Sequence, residues 1–178
     1  MAVPKLVIPT LATGRLSLVP ISMEHSAGMY EMWRNPQVQK YSGPAKDENG
    51  DEILLPAQST LDSDKLIKFW MAAAKDGWGF RWALLLAQGE KAFIGHLGFN
   101  QLGDCAEIAY HQNPIYWGKG YMYEAAMQAI QWQQSQGSKQ VEAFVDPRNL
   151  ASIRLTERLG LKPTDDFADG ARRYHRTL

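Results

Sequence analysis

"YWGKGYMYEAAMQAI", Tyr116 to Ile130, sets two glycines and a lysine directly against a helix-like run. Met122, Ala125, Ala126, Ala129 and Ile130 fall on one face of that run, and the alanines allow close approach to a sheet. Gly118-Lys119-Gly120 then has three readings: a plain turn before a helix, a dinucleotide loop, or a cradle for another phosphate ligand. A Walker loop needs Ser or Thr after the lysine to reach magnesium, and Gly120-Tyr121 stands there instead. The dinucleotide fingerprint is met by Gly118-x-Gly120 and by Asp146 at the end of the next strand. Against it, Tyr123 takes the third glycine position, Pro114 and "NPIYW" separate the glycines from their strand, and too little chain follows for a doubly wound sheet. The third reading fits better. Glycines expose consecutive backbone N–H groups from Gly118 to about Tyr123, and the helix start adds its positive dipole end, which suits a pyrophosphate without a metal. Coenzyme A carries such a group.

Outward from this stretch, "FRWALLLA", "AFIGHLGF" and "CAEIAYHQ" read as consecutive antiparallel strands with turns at Gly89-Glu90 and Gly103-Asp104. "QVEAFVD" is a strand, and "NLASIRLTERLG" a helix between an Asn149 N-cap and a Gly160 C-cap. "GARRYHRTL" is a last strand. Toward the start, "GRLSLVPI" is a first strand and "MEHSAGMYEMWRN" a helix stopped before Pro36. "STLDSDKLIKFWMAAAKDG" is a capped helix ending at Gly77. Residues 37–59 form a turn-rich excursion with a hairpin signal at Asn49-Gly50, expected to be mobile and to border a cleft. Its oxygens do not fall at the alternate positions of a calcium loop. The order βα αβββ αβ αβ describes one mixed α/β domain over residues 1–178.

The chain has 178 residues, 45% hydrophobic and 21% charged, with zero formal net charge. These values fit a globular domain and argue against nucleic-acid binding through a general basic surface. Cys105 is the single cysteine, so no intrachain disulfide forms and a reducing, cytoplasmic setting is expected. "MAVPKLVIPTLATG" does not read as a signal peptide, and no apolar run approaches membrane-spanning length.

The pieces "GRLSLVPI" with "MYEMWRNPQVQKY", "FIGHLGF", "AEIAYHQNPIYWGKGYMYEAA", "VEAFVDPRNLASIRLTERLGL" and "YHRTL" resemble, in family order, the GNAT acetyltransferases, in the branch of the ribosomal-protein N-terminal acetyltransferases. The specific part is Trp-Gly-Lys-Gly-Tyr followed by Asp-Pro-x-Asn-x-x-Ser-Ile-Arg. The resemblance implies a mostly antiparallel mixed sheet with a central splay, flanked by about four helices. The strand around Glu107–His111 would part from the strand ending at Asp146, and pantetheine would lie in the gap. Acetyl-CoA is the implied co-substrate, with no metal, and the acceptor is an amine on a small molecule or a protein N-terminus. Neither nucleic acid nor membrane is implied as a partner; a homodimer is suggested by resemblance alone. Two departures stand out: Met122 replaces the loop's last small residue, and Thr156 occupies the position where many superfamily members carry a tyrosine acid, which leaves the acid unassigned.

The coenzyme-binding candidates are therefore Tyr110, Trp117, Gly118, Lys119, Gly120, Tyr121, Met122, Tyr123, Asn149 and Ser152. Asn149 is equally explained as a helix cap, Ser152 as a solvated helix residue, and Tyr110 as core. The catalytic candidates are Glu107 and Ser152. An amine must lose a proton before attacking a thioester, and a carboxylate beside it, directly or through water, accepts that proton. A glutamate on the solvent face of an edge strand would look the same. Cys105 invites an acyl-enzyme, but no histidine is placed near it, so direct transfer with Cys105 as buried filler is the expectation. Histidines 25, 96, 111 and 175 lack metal-ligand spacing. Trp33, Trp70, Trp78 and Trp82 read as core or cleft wall. A non-catalytic acyl-CoA-binding or sensing module remains the alternative to an enzyme.

Overall fold

The computed structural model describes residues 5–178. Strands β1 (Leu11–Ala12) and β2 (Leu16–Pro20) are followed by helices α1 (Ser26–Trp33), α2 (Pro36–Gln39) and α3 (Thr60–Asp76). A meander β3 (Phe80–Leu86), β4 (Phe93–Gln101) and β5 (Cys105–Gln112) leads into α4 (Tyr121–Ser135), β6 (Gln140–Val145), α5 (Leu150–Arg158), β7 (Lys162–Ala168) and β8 (Ala171–Thr177). The eight strands form one sheet in the order β1-β2-β3-β4-β5-β6-β8-β7. Every pairing is antiparallel except β5 with β6. The crossover between these two parallel strands is α4, as a parallel pair requires.

Local sequence explains the helix ends. Ser59 and Asp62 form a reciprocal capping box at the start of α3, and Gly77 closes it at φ +83°, a left-handed value that glycine adopts without strain. The side-chain oxygen of Asn149 accepts the Ser152 N–H at 3.2 Å and starts α5. In α4 the expected face is the observed one: Met122, Ala125, Ala126, Ala129 and Ile130 are all buried.

Two cores sandwich the sheet. Phe80, Trp82, Leu84, Leu97, Phe99 and Ile108 pack beneath α4 and the end of α5. On the opposite face Ala83 meets α1 and α3 through Met29, Met32, Trp33, Ile67 and Trp70. Strand alternation produces this division, since Ala83 lies between Trp82 and Leu84.

Three expectations change. The strand β7 is additional: its sequence "KPTDDFA" is largely exposed and carries no alternating apolar pattern, because it pairs on one edge only, with β8. The two-residue β1 is too short to show a pattern. Helix α2 raises the helix count to five; Asn35 caps it by accepting the Gln37 N–H, and Pro36 occupies its first turn. The excursion at 37–59 turns at Asn49-Gly50 as expected, with Lys46 bridged to Glu52. It is tied down by buried Val38, Ile53 and Ala57.

Candidate active site

Strands β5 and β6 pair only through Cys105–Gln140, Ala106–Val141 and Glu107–Glu142. Beyond Glu107 they diverge, although β5 continues to Gln112 and β6 to Val145. Ile108 to His111 therefore present roughly 13 Å of strand edge to an open gap. Tyr110 closes one side of that gap. Its hydroxyl lies 2.8 Å from Ser152 Oγ and 3.2 Å from Thr156 Oγ1, both on α5. Burial raises the Tyr110 pKa, with the Ser152 and Thr156 hydrogen bonds opposing, so the phenol is protonated at neutral pH. Ser152 is thus a partner of Tyr110 and not a solvated helix residue. Tyr110→Phe leaves the buried Thr156 hydroxyl and that of Ser152 without their shared partner. We expect a loss of about 1–2 kcal/mol in urea unfolding with an unchanged m-value. An unchanged midpoint would show that these contacts contribute nothing.

The loop after β5 is riveted to the strand it leaves. Gln112 Nε2 donates to the Tyr116 carbonyl and Trp117 Nε1 to the Gln112 carbonyl, each at 2.8 Å. Gly118 and Gly120 follow at φ +75° and +78°, where a side chain would be strained. The N–H groups from Gly118 to Tyr123 find no acceptor among the described residues; Glu124 is the first to reach one, the Gly120 carbonyl at 3.1 Å. Six consecutive donors, ending in the first turn of a helix, are therefore free to meet an anion. The Met122 side chain is buried in the core below while its N–H stays in the run.

Arg15, which the sequence did not single out, borders this cradle. Its guanidinium donates to the Lys119 carbonyl at 2.9 Å, pairs with Glu124 at 3.2 Å and stacks 4.4 Å from the Tyr121 ring centre. It lies 104 positions from Lys119, so no local pattern reveals the contact. A cavity of about 1020 Å³ beside the helix start is lined by Arg15, Lys119, Gly120, Tyr123 and Arg158 among others, with the Arg158 guanidinium 3.8 Å over the Tyr123 ring.

Glu107 stands at the base of the splay on the sheet face opposite Tyr110, as strand parity required. Asn100 Nδ2 donates to its Oε1 at 2.7 Å. On the same face His96 Nε2 and His111 Nδ1 are 3.1 Å apart, and His111 Nε2 is 2.8 Å from Ser42 Oγ. Burial, with the Arg81 charge, pushes His111 down to about 3; burial, then His111 and Arg81, pushes His96 well below its ordinary value. Both are neutral at pH 7 and pin Ser42 of the excursion to β5. Next to it, Tyr41 lies 5.8 Å from the Arg148 guanidinium in the β6–α5 loop. The excursion therefore reaches across the mouth of the gap.

Other candidates are settled by their partners. The Asp146 carboxylate is held by Arg148 at 2.8 and 3.0 Å and lowered to about 2 by those hydrogen bonds, so it is committed to the turn and not to a dinucleotide ribose. Asn149 does cap α5, with its amide nitrogen left over. Cys105 is a correction: it is half-buried, not buried filler, and lies beside Arg173 and Glu142. Burial first, then Glu142, raises its thiol pKa, the opposite of an activated nucleophile. Trp33, Trp70 and Trp82 are core; Trp78 is exposed, with its ring against Phe69 and Trp70. Among the described residues no cluster of His, Cys, Asp or Glu is arranged to hold a metal, and no helix is long and apolar enough to cross a membrane.

A parallel pair that splays, followed by a glycine cradle at a helix start, is the arrangement of an acetyl-CoA-dependent acetyltransferase. Residues 15–162 match the family described as Acetyltransferase (GNAT) domain, and the chain belongs to that family. It is 27% identical over 157 residues to the uncharacterized N-acetyltransferase p20 of Bacillus licheniformis, covering 86% of this chain and 82% of that protein. An acetyltransferase from Agrobacterium tumefaciens superposes with a TM-score of 0.77 at 20% identity, over 97% of this chain and 96% of that one. The ribosomal L7/L12 alpha-N-protein acetyltransferase RimL, solved in complex with coenzyme A, superposes with a TM-score of 0.74 at 14% identity, over 96% and 98%.

Proposed function

We propose that this protein moves an acetyl group from acetyl-CoA directly to a primary amine, on a protein N-terminus or a small molecule, within a ternary complex. The run of six unpaired N–H groups from Gly118 to Tyr123, opening onto the unpaired edge of β5, carries the reading. In it the pyrophosphate takes the cradle, flanked by Trp117 and Lys119, and pantetheine runs along Ile108–His111 toward Glu107. Acetyl-CoA supplies the thioester; the chain binds it, orients it and handles protons. Glu107 accepts the proton of the attacking amine, directly or through one water. Ser152, backed by the Tyr110 phenol, hydrogen-bonds the departing sulfur and stabilises it as the thiolate; an alcohol of Ser152 or Thr156 is too weak an acid to protonate it, and the thiolate takes its proton from solvent. Asn149, at the start of α5, contacts the pantetheine with the amide nitrogen its capping role leaves free.

Titrating acetyl-CoA into isotopically labelled protein tests the placement. The amide resonances of 118–123 and 108–111 should shift together and saturate at one equivalent. Shifts confined to other segments would contradict it.

The acceptor is expected against the excursion, since Ser42 and Tyr41 meet the gap from that side. Removing the exposed hairpin tip, residues 46–52, should raise acceptor KM far more than it weakens acetyl-CoA binding. Equal effects on both, or an effect on neither, would place the acceptor elsewhere.

A further inference from the structure

A buried arginine lies behind Glu107 with no ion pair among the described residues. Arg81, on β3, is only 4% exposed. Its guanidinium stacks 3.5 Å from the Trp70 ring centre, donates to the Phe80 carbonyl at 3.1 Å and to Asn100 Oδ1 at 2.5 Å. Its Nε has no partner among the described residues. Burying such a charge without a carboxylate is costly, and burial moves its pKa down to about 9, opposed only by the field of Glu107. It therefore remains charged at neutral pH, facing Glu107 across one amide.

That amide can take only one orientation. Asn100 Oδ1 must accept from Arg81, so Nδ2 must donate to Glu107 Oε1. A break in strand register makes the arrangement possible. Phe99 pairs with Ile108, yet Gln101 pairs with Glu107, so Asn100 is the extra residue of a bulge. Bulges re-aim side chains, and here the bulge brings an amide of β4 against the β5 carboxylate at the base of the splay.

We infer that Asn100, held by Arg81, is a positioning residue: it occupies Oε1 of Glu107 and thereby leaves Oε2 as the oxygen that meets the acceptor amine. The inference rests on Glu107 being the base. The other groups facing Glu107 do not compete for this role. Glu142, its register partner on β6, is paired with Arg173 of β8. Cys105, two residues away on the same face, is a protonated thiol, and His111 is neutral and bonded to Ser42 and His96. Gln101 stands opposite in register and is uncharged.

The test compares kcat and its pH profile in the parent, Asn100→Asp, Asn100→Ala, Glu107→Gln and the double variant Asn100→Ala/Glu107→Gln, with acetyl-CoA and one amine. Asn100→Asp keeps the shape and the Arg81 bond but puts a second carboxylate against Glu107. The acid limb of its profile should move up by about 1 pH unit. Asn100→Ala should lower kcat roughly 10- to 100-fold with acetyl-CoA KM unchanged. The double variant should be no slower than Glu107→Gln alone, because both act through one group. An unmoved acid limb in the well-folded Asn100→Asp, or losses that multiply in the double variant, would overturn the inference while leaving Glu107 as base. A parental kcat in Glu107→Gln would overturn both.

Discussion

Glu107→Gln should lower kcat by about 10²–10⁴-fold, the range general-base catalysis contributes, when chemistry limits turnover. The substitution preserves shape and removes charge. Asn100 Nδ2 still finds an oxygen at Oε1, so the local structure should survive. The affinity for acetyl-CoA should stay near the parental value, because the cradle at 118–123 lies beyond the other end of β5. The loss should be smaller for an acceptor with an α-amine, of pKa ~8, than for a lysine-like amine, of pKa ~10.4, since more of the former is already neutral near pH 7.5. Measuring kcat against pH with each acceptor, after a pre-steady-state check of the rate-limiting step, gives the answer. A near-parental kcat under those conditions would reduce Glu107 to a strand residue held by an asparagine.

Gly120→Pro should weaken acetyl-CoA binding by at least ~10²-fold in calorimetry. Two physical losses combine. Proline removes one of the six donors, and a hydrogen bond to a charged group is worth ~1.5–3 kcal/mol, or roughly 10- to 100-fold in affinity. Proline also requires φ near −65°, whereas Gly120 sits at +78°, so the neighbouring N–H groups must re-aim. Gly120→Ala separates these effects. It keeps the donor, its methyl would lie 3.5 Å from Arg15 Nη2 in ordinary contact, and it bears only the left-handed strain of ~1–2 kcal/mol. The order of affinity should be parent, alanine, then proline. Equal binding by a folded proline variant would remove the pyrophosphate from this loop.

The parts of this molecule that follow from near neighbours in sequence were readable in advance. The α3 caps at Ser59 and Gly77, the buried face of α4 and the glycine cradle each depend on a few consecutive residues. The division of Glu107 and Tyr110 between opposite faces followed from strand parity. The splay came only through the family resemblance, because a parallel pair that parts after three residues leaves no mark on composition. What escaped has long-range causes. β7 is a charged edge strand with no apolar side to reveal it. Arg15 reaches the cradle because β2 and α4 meet in space. Asn100 reaches Glu107 through a bulge, and one extra residue in a register cannot be seen from one strand alone. Tyr110 looked like core or pocket wall, and its hydroxyl partners on α5 became visible only when the two elements were packed together.

Direct transfer to an amine is tested by amine-dependent release of free coenzyme A thiol from acetyl-CoA, followed across a panel of peptides with free N-termini and small primary amines. Turnover should appear with at least one acceptor, the acetyl group should be found by mass spectrometry on that acceptor's amine, and no acetylated form of the protein should accumulate. Tight binding of acetyl-CoA with no thiol release above the hydrolytic background, for any amine in the panel, would contradict acetyl transfer and leave a coenzyme-binding module that does no chemistry.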